Sequence, residues 1–315
     1  MGVFTILTLF TILGCVVTGS HPVPDQTKEE SEDIDPSFLL DEILDVDIVS
    51  RNGYSSKDIN LIKCEEYHHH SKIFGGRDAK SRELPHMAAL GYGPSNNITW
   101  RCGGSLISER FVLTAAHCLR SGNLCVQHVR LGDIDIKSDK DDTGVQQFTV
   151  EQTFIHPSVK SPARYHDIAL LRLSAEVLFT EYVIPACVGL SSDLNQTAPT
   201  VAGWGLTENG PSNTLKIAPV EYVPTSRCNR AYGHQVSFPR GVMDSLAICA
   251  GGINGTDTCQ GDSGGPLQII NDSYDFGSFP EIVGITSLGA LCGELPGLYT
   301  RVYHYLPWII ETIWQ

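Results

Sequence analysis

Along residues 73–315, short apolar or alternating runs recur between Gly, Pro, Asn and Asp: Gly103–Ile107, Phe111–Thr114, Ile168–Leu173, Thr200–Trp204, Ile282–Ile285 and Gly297–Val302. Such runs are too short for helices, and their spacing is that of an antiparallel sandwich or barrel, not of alternating βα units. Only the end of the chain has helical spacing. In Tyr303–Trp314 the residues Leu306, Ile309, Ile310 and Ile313 share one stripe, and Pro307 is tolerated in a first turn. The pattern predicts an all-β body with a C-terminal helix.

The first 72 residues have a different texture. Residues 3–17 form an uncharged apolar run, short of the roughly 20 residues a bilayer span needs. Small residues Thr18, Gly19 and Ser20 follow it, so residues 1–20 read as a signal peptide cleaved near Ser20, with a retained signal anchor as the alternative. No second span is present, so the product is expected to be secreted, with no membrane span after signal removal. Residues 21–72 carry thirteen Asp or Glu against five Lys or Arg, few aromatics and one cysteine. A segment of that composition cannot bury a core of its own. It is expected to be a non-globular acidic propeptide or light chain, with a short helix near Phe38–Leu44.

Composition sharpens this picture. With 42% apolar and 18% charged residues, the 315-residue chain is ordinary globular material. Its net charge of −14 excludes nucleic acid as a natural partner, which would call for a basic face. Ten cysteines, spread out and without a CxxC pair, point away from zinc and toward disulfides in an oxidising compartment. Cys15 leaves with the signal peptide, so nine remain, too many for the sequence alone to pair.

Three segments carry chemistry. They are Leu113-Thr-Ala-Ala-His117-Cys118, His166-Asp167-Ile-Ala-Leu-Leu, and Cys259-Gln-Gly261-Asp262-Ser263-Gly264-Gly265-Pro266. A serine hydroxyl is a weak nucleophile and needs a base within hydrogen-bond reach. Histidine titrates near neutrality and can take a proton and return it. A carboxylate on its other nitrogen fixes the tautomer. Glycines around Ser263 let the N–H groups of Gly261 and Ser263 converge on a developing oxyanion. Taken alone, each segment also has a bland reading: a structural histidine, a turn-capping aspartate, a flexible loop. The joint occurrence, in the order His, Asp, Ser, raises the catalytic one.

With TAAHC, DIALL, GWG (Gly203–Gly205) and GDSGGP together, residues 73–315 resemble the chymotrypsin-like, or trypsin-fold, serine proteases. The resemblance implies two antiparallel six-stranded β-barrels with the active site between them and a C-terminal helix. It carries over His117 as general base, Asp167 as its orienter, Ser263 as nucleophile and Gly261 and Ser263 as the oxyanion hole. A long acidic propeptide bearing a tethering cysteine is similar to that of arthropod haemolymph cascade proteases, although their six-cysteine clip module is absent.

The resemblance also implies a zymogen. Cleavage after Lys72 would free an ammonium on Ile73, and a buried ammonium must be paired; Asp262 matches the family's partner. Phe74 stands where Val is usual. Asp257, six residues before Ser263, matches the floor of the primary pocket and selects Arg or Lys, between the small wall residues Gly289 and Gly297. Leu288 replaces a common Trp. The disulfides implied are Cys64–Cys187, Cys102–Cys118, Cys228–Cys249 and Cys259–Cys292, with Cys125 left as a buried thiol or an intermolecular bridge. Asn97, Asn195, Asn254 and Asn271 begin N-x-S/T sequons. Asp133, Asp135, Asp139, Asp141 and Asp142 concentrate carboxylates of the kind calcium uses; an acidic loop is more often simply solvated, and no cofactor is required. The expected partners are a protein substrate such as another zymogen, an upstream trypsin-like activating protease and a protein inhibitor. A digestive trypsin and a catalytically silent binding homologue are the alternatives.

Overall fold

A computed structural model describes residues 55–68, 83–138, 144–191, 194, 198–207, 210–233, 235–251, 261–275, 277–289 and 295–314. The signal peptide and the helix expected near Phe38–Leu44 lie outside them. Within the acidic segment the described residues form helix α1 (Ser56–His68). Ser55 and Asp58 start it with a reciprocal cap: Asp58 N–H donates to Ser55 Oγ at 3.2 Å and Ser55 N–H to Asp58 Oδ2 at 3.1 Å. Its buried residues are Ser56, Asn60, Cys64 and His68, one every fourth position. Thus α1 docks through a polar stripe. Asn60 Nδ2 donates to the Val188 carbonyl at 2.5 Å, Cys64 is bonded to Cys187, and His68 stacks on Phe279 with ring centres 5.4 Å apart.

The first barrel comprises β1 (Met87–Tyr92), β2 (Thr99–Leu106), β3 (Phe111–Thr114), β4 (Leu124–Leu131), β5 (Gln146–Ile155) and β6 (Ala169–Leu173). Strands pair antiparallel in the order β1-β2-β3-β6-β5-β4, and β4 returns to β1 with Val129 opposite Leu90. Closure removes both sheet edges. Leu90, Leu106, Val112, Val129, Leu131 and Leu170 pack in one buried cluster, each contributing about 1.5–3 kcal/mol by leaving water.

The second barrel uses β7 (Thr200–Gly203), β8 (Lys216–Pro219), β9 (Glu221–Tyr222), β10 (Ala247–Gly251), β11 (Pro266–Asn271), β12 (Phe279–Leu288) and β13 (Gly297–Arg301). Their order is β8-β7-β11-β12-β13-β10-β9. Its two edge strands, β8 and β9, are separated in the chain by Val220 alone, so this barrel is nearly closed and recruits a seventh short strand. Val201, Ile248, Leu267, Ile269, Val283 and Tyr299 fill it. Helix α2 (Thr225–Tyr232) is pinned to β10 by Cys228–Cys249. The chain ends in α3 (Leu306–Ile313), with Leu306, Ile309 and Ile310 buried and Pro307 in the first turn; α1 lies against it.

Candidate active site

Strand β3 stops at Thr114, and a single 3-10 turn, Ala116–Leu119, presents His117. Asp167 sits just ahead of β6. Because β3 pairs with β6 (Thr114 opposite Ala169), barrel closure brings the two together although they are 50 residues apart. His117 Nδ1 lies 2.7 Å from Asp167 Oδ2, and the His117 main-chain N–H donates to Asp167 Oδ1 at 2.9 Å. The carboxylate therefore grips ring and backbone at once. Two hydroxyls of the second barrel complete its hold: Ser287 Oγ donates to Asp167 Oδ2 at 2.5 Å, and Thr300 Oγ1 to the Asp167 carbonyl at 2.9 Å. Burial alone would push the Asp167 pKa up. The His117 hydrogen bond and charge, then Ser287 and the His117 N–H, outweigh it and hold the carboxyl below the ordinary aspartate value. With an ionised carboxylate on Nδ1, that nitrogen carries the imidazole proton, leaving the Nε2 lone pair to accept one.

The nucleophile loop comes from the other barrel, just before β11. The Ser263 carbonyl accepts the Gly103 N–H at 2.8 Å, stitching the loop to β2. Gly264 N–H donates to Thr286 O at 2.8 Å and Gly265 N–H to Asp262 O at 2.9 Å. Gly264 has φ +77°, and a Cβ there would stand 2.2 Å from Thr114 Oγ1, so only glycine fits. Asp262 Oδ1 accepts the Gly205 N–H at 2.8 Å, and a Cβ on Gly203 would approach that carboxylate to 2.1 Å. A cleft of about 730 Å³ opens beside His117, with Arg164, Glu151, Ile155 and Ala163 among its walls.

The structure thus brings His117 and Asp167 together and ties the Gly261–Ser263 loop to β2 through Gly103, while His117 Nε2 lies 3.7 Å from Cys118 Sγ and makes no hydrogen bond to Ser263. Of the expected specificity residues, Gly297 opens β13 opposite Ala250 and Gly289 follows β12; Asp257 lies outside the described residues, as do Lys72 and Ile73. Ser287 and Thr300 escaped the sequence reading. Their signal was a hydroxyl within the buried apolar strands β12 and β13.

Disulfides Cys64–Cys187, Cys102–Cys118 and Cys228–Cys249 are present, and Cys259–Cys292 lies outside the described residues. Cys125 is disulfide-bonded and is not a thiol. Asn97 is exposed in a turn, while Asn195 and Asn254 fall outside. Asn271 is buried, and its Nδ2 donates to buried Glu281 at 2.6 Å.

Of the five candidate calcium ligands, Asp133 and Asp135 are described. Asp133 is salt-bridged to Arg130, and Asp135 Oδ1 accepts the Lys137 N–H at 3.1 Å; Asp139, Asp141 and Asp142 lie outside the described residues. Two other groups, Cys64-His68-Cys187 and Cys102-His117-Cys118, hold donor atoms within 4.8 Å of one another. In both the sulfurs are in disulfides and offer no thiolate. Among the described residues no helix is long and apolar enough to cross a membrane.

The trypsin family profile matches residues 73–309. The chain belongs to the trypsin family. Serine protease snk of Drosophila melanogaster is 41% identical over 247 residues, 75% of this chain and 56% of that protein. Phenoloxidase-activating factor 1 of Holotrichia diomphalia is 39% identical over 260 residues, 76% of this chain and 69% of that protein. This trypsin-family chain therefore spans little more than half the length of the first of these relatives. Among solved structures, the Drosophila Grass clip serine protease of the Toll pathway superposes with a TM-score of 0.68 at 32% identity, covering 81% of this chain and 78% of that one. Mouse neuropsin does so with 0.61 at 33%, covering 77% and 100%.

Proposed function

We propose that the chain is a secreted trypsin-like serine endopeptidase zymogen, activated by cleavage after Lys72, that cuts proteins after Arg or Lys in a limited-proteolysis cascade. The observation that carries this reading is the His117–Asp167 pair, oriented by Ser287 and the His117 main chain.

In the proposed reaction His117 Nε2 takes the Ser263 hydroxyl proton as Oγ attacks the scissile carbonyl. The oxyanion is met by the N–H groups of Gly261 and Ser263; one such donor contributes about 10²–10³ in rate. The imidazolium, held by Asp167, returns the proton to the leaving amine, and water then releases the acyl group by the same relay. No cofactor enters these steps. A carboxylate at Asp257 supports selection of a basic side chain, because an apolar one would leave it buried and unpaired. Cleavage at Lys72 would give Ile73 an ammonium to pair with Asp262, whose carboxylate already lies against Gly203 and Gly205. The Cys64–Cys187 bond supports a retained light chain and hence a cascade role over a digestive one. The names of the relatives, among them Melanization protease 1 and Phenoloxidase-activating factor 1, support a protein substrate, such as another zymogen, and an upstream protease. A protein inhibitor completes the proposed partners.

Hydrolysis of an Arg-containing chromogenic peptide before and after limited cleavage at Lys72, alongside Ser263→Ala, tests the reading. Activity is expected only after cleavage and not in the variant. Inertness after correct cleavage would overturn it, and cleavage after aromatic residues alone would remove Asp257 from its role.

A further inference from the structure

Among the described residues His166 is the one non-glycine with a left-handed backbone, φ 58°. It immediately precedes Asp167. The Ile168 N–H donates to the His166 carbonyl at 2.7 Å, so the chain folds tightly around Asp167 before entering β6. A side-chain-bearing residue holds such a conformation only where its surroundings impose it, and histidine tolerates it better than branched residues do.

The surroundings here are specific. His166 is buried, and its Nδ1 lies 3.1 Å from the Tyr305 hydroxyl. One ring face stacks on His156, with centres 5.5 Å apart and planes 16° from parallel. Tyr305 meets His156 edge-on at 5.0 Å, and Trp308 of α3 meets it at 5.2 Å. His156 is neutral at physiological pH, because burial, then the neighbouring His166 and His304, push its pKa down to about 3. A neutral ring can stack on His166 without charge repulsion. Tyr305 follows β13 by four residues, and β13 also supplies the Thr300 hydroxyl that holds the Asp167 carbonyl. The C-terminal segment thus grips both sides of the Asp167 peptide.

We propose that His166 is a positioning residue: seated between His156 and Tyr305, it maintains the left-handed turn that aims the Asp167 carboxylate at His117. This rests on the triad reading above.

The test uses the full chain, cut at Lys72, with His166→Ala, His166→Asn and Tyr305→Phe. Asparagine accepts the left-handed region and sets an amide nitrogen near the position of Nδ1; alanine does neither well. His166→Ala should lower kcat about tenfold to a hundredfold with KM unchanged, the range expected of a misaimed catalytic group. His166→Asn should stay within about twofold of the wild type, since it keeps the turn. Tyr305→Phe should fall between them. The downfield proton resonance of His117 Nδ1–H, which reports its bond to Asp167, should shift or broaden in His166→Ala and persist in His166→Asn. This resonance can be read whether or not the peptide is hydrolysed, so failure of the protease reading and failure of this proposal are distinguishable. Equal kcat losses in the alanine and asparagine variants, or an unchanged resonance in His166→Ala, would overturn it.

Discussion

Asp167 is buried and receives hydrogen bonds from the His117 ring, the His117 main chain and Ser287. Asp262, half-buried beside Ser263, accepts from the Gly205 N–H and lies against the side-chain-free backbones of Gly203 and Gly205. The first carboxylate is encased by donors from both barrels. The second occupies a cradle shaped for close approach. The difference teaches that Asp167 is fixed by side-chain and main-chain donors from both barrels, while Asp262 is held by one main-chain N–H in a space left by missing side chains, which suits the proposed pairing with an ammonium.

The largest effect should come from altering the first carboxylate. Asp167→Asn, assayed after cleavage, should lower kcat by about 10⁴ by favouring the wrong His117 tautomer, with the melting temperature little changed. An effect under tenfold would remove Asp167 from the relay. Asp262→Asn should leave the His117 Nδ1–H resonance intact but cost roughly 10²–10³ in kcat after cleavage, the scale of a lost oxyanion donor. If both variants disturb the resonance alike, the two carboxylates are not separable.

Acid titration sharpens the contrast through stability. Asp167, with its pKa lowered on folding, contributes stability above the ordinary aspartate range that is lost as pH falls through its folded value. His68 and His86 act earlier. Burial first of all pushes both down to about 4 from 6.5. Between those values the unfolded chain binds more protons than the folded one, so stability falls as pH drops through the window. The loss is up to about 3 kcal/mol per histidine. Urea midpoints from pH 7 to 4 should show that slope, and His68→Phe, which keeps the stack on Phe279, should flatten it. The smallest effect concerns a third carboxylate, Asp133, already neutralised by Arg130. Replacing EDTA with Ca²⁺ should move the melting temperature by less than about 1 °C, where 1 kcal/mol of binding would move it by at least about 2 °C. A larger rise would restore the calcium expectation.

The apolar runs at Phe111–Thr114, Thr200–Trp204 and Gly297–Val302 fall on β3, β7 and β13 almost residue for residue, because central strands with buried side chains advertise themselves. Strand β5 went unseen since its residues are half-buried or exposed throughout. Helix α1 was invisible for a different reason. Its buried face reads Ser56, Asn60, Cys64, His68, so a search for apolar periodicity finds nothing, and only the Ser55–Asp58 cap and the cysteine announce it. At the site, His117, Asp167 and Ser263 were legible as local motifs, whereas Ser287, Thr300 and His166 earn their places only through contacts made across the fold.

The Cys64–Cys187 bond closes a ring over 123 positions of sequence separation. A single scission anywhere within that ring converts one polypeptide into two without changing how many particles are in solution. Gel filtration and sedimentation would register no event, and a gel run with reductant would register a complete one. The helix that bears Cys64 would therefore stay coupled to the rest of the chain at fixed stoichiometry after such a cut.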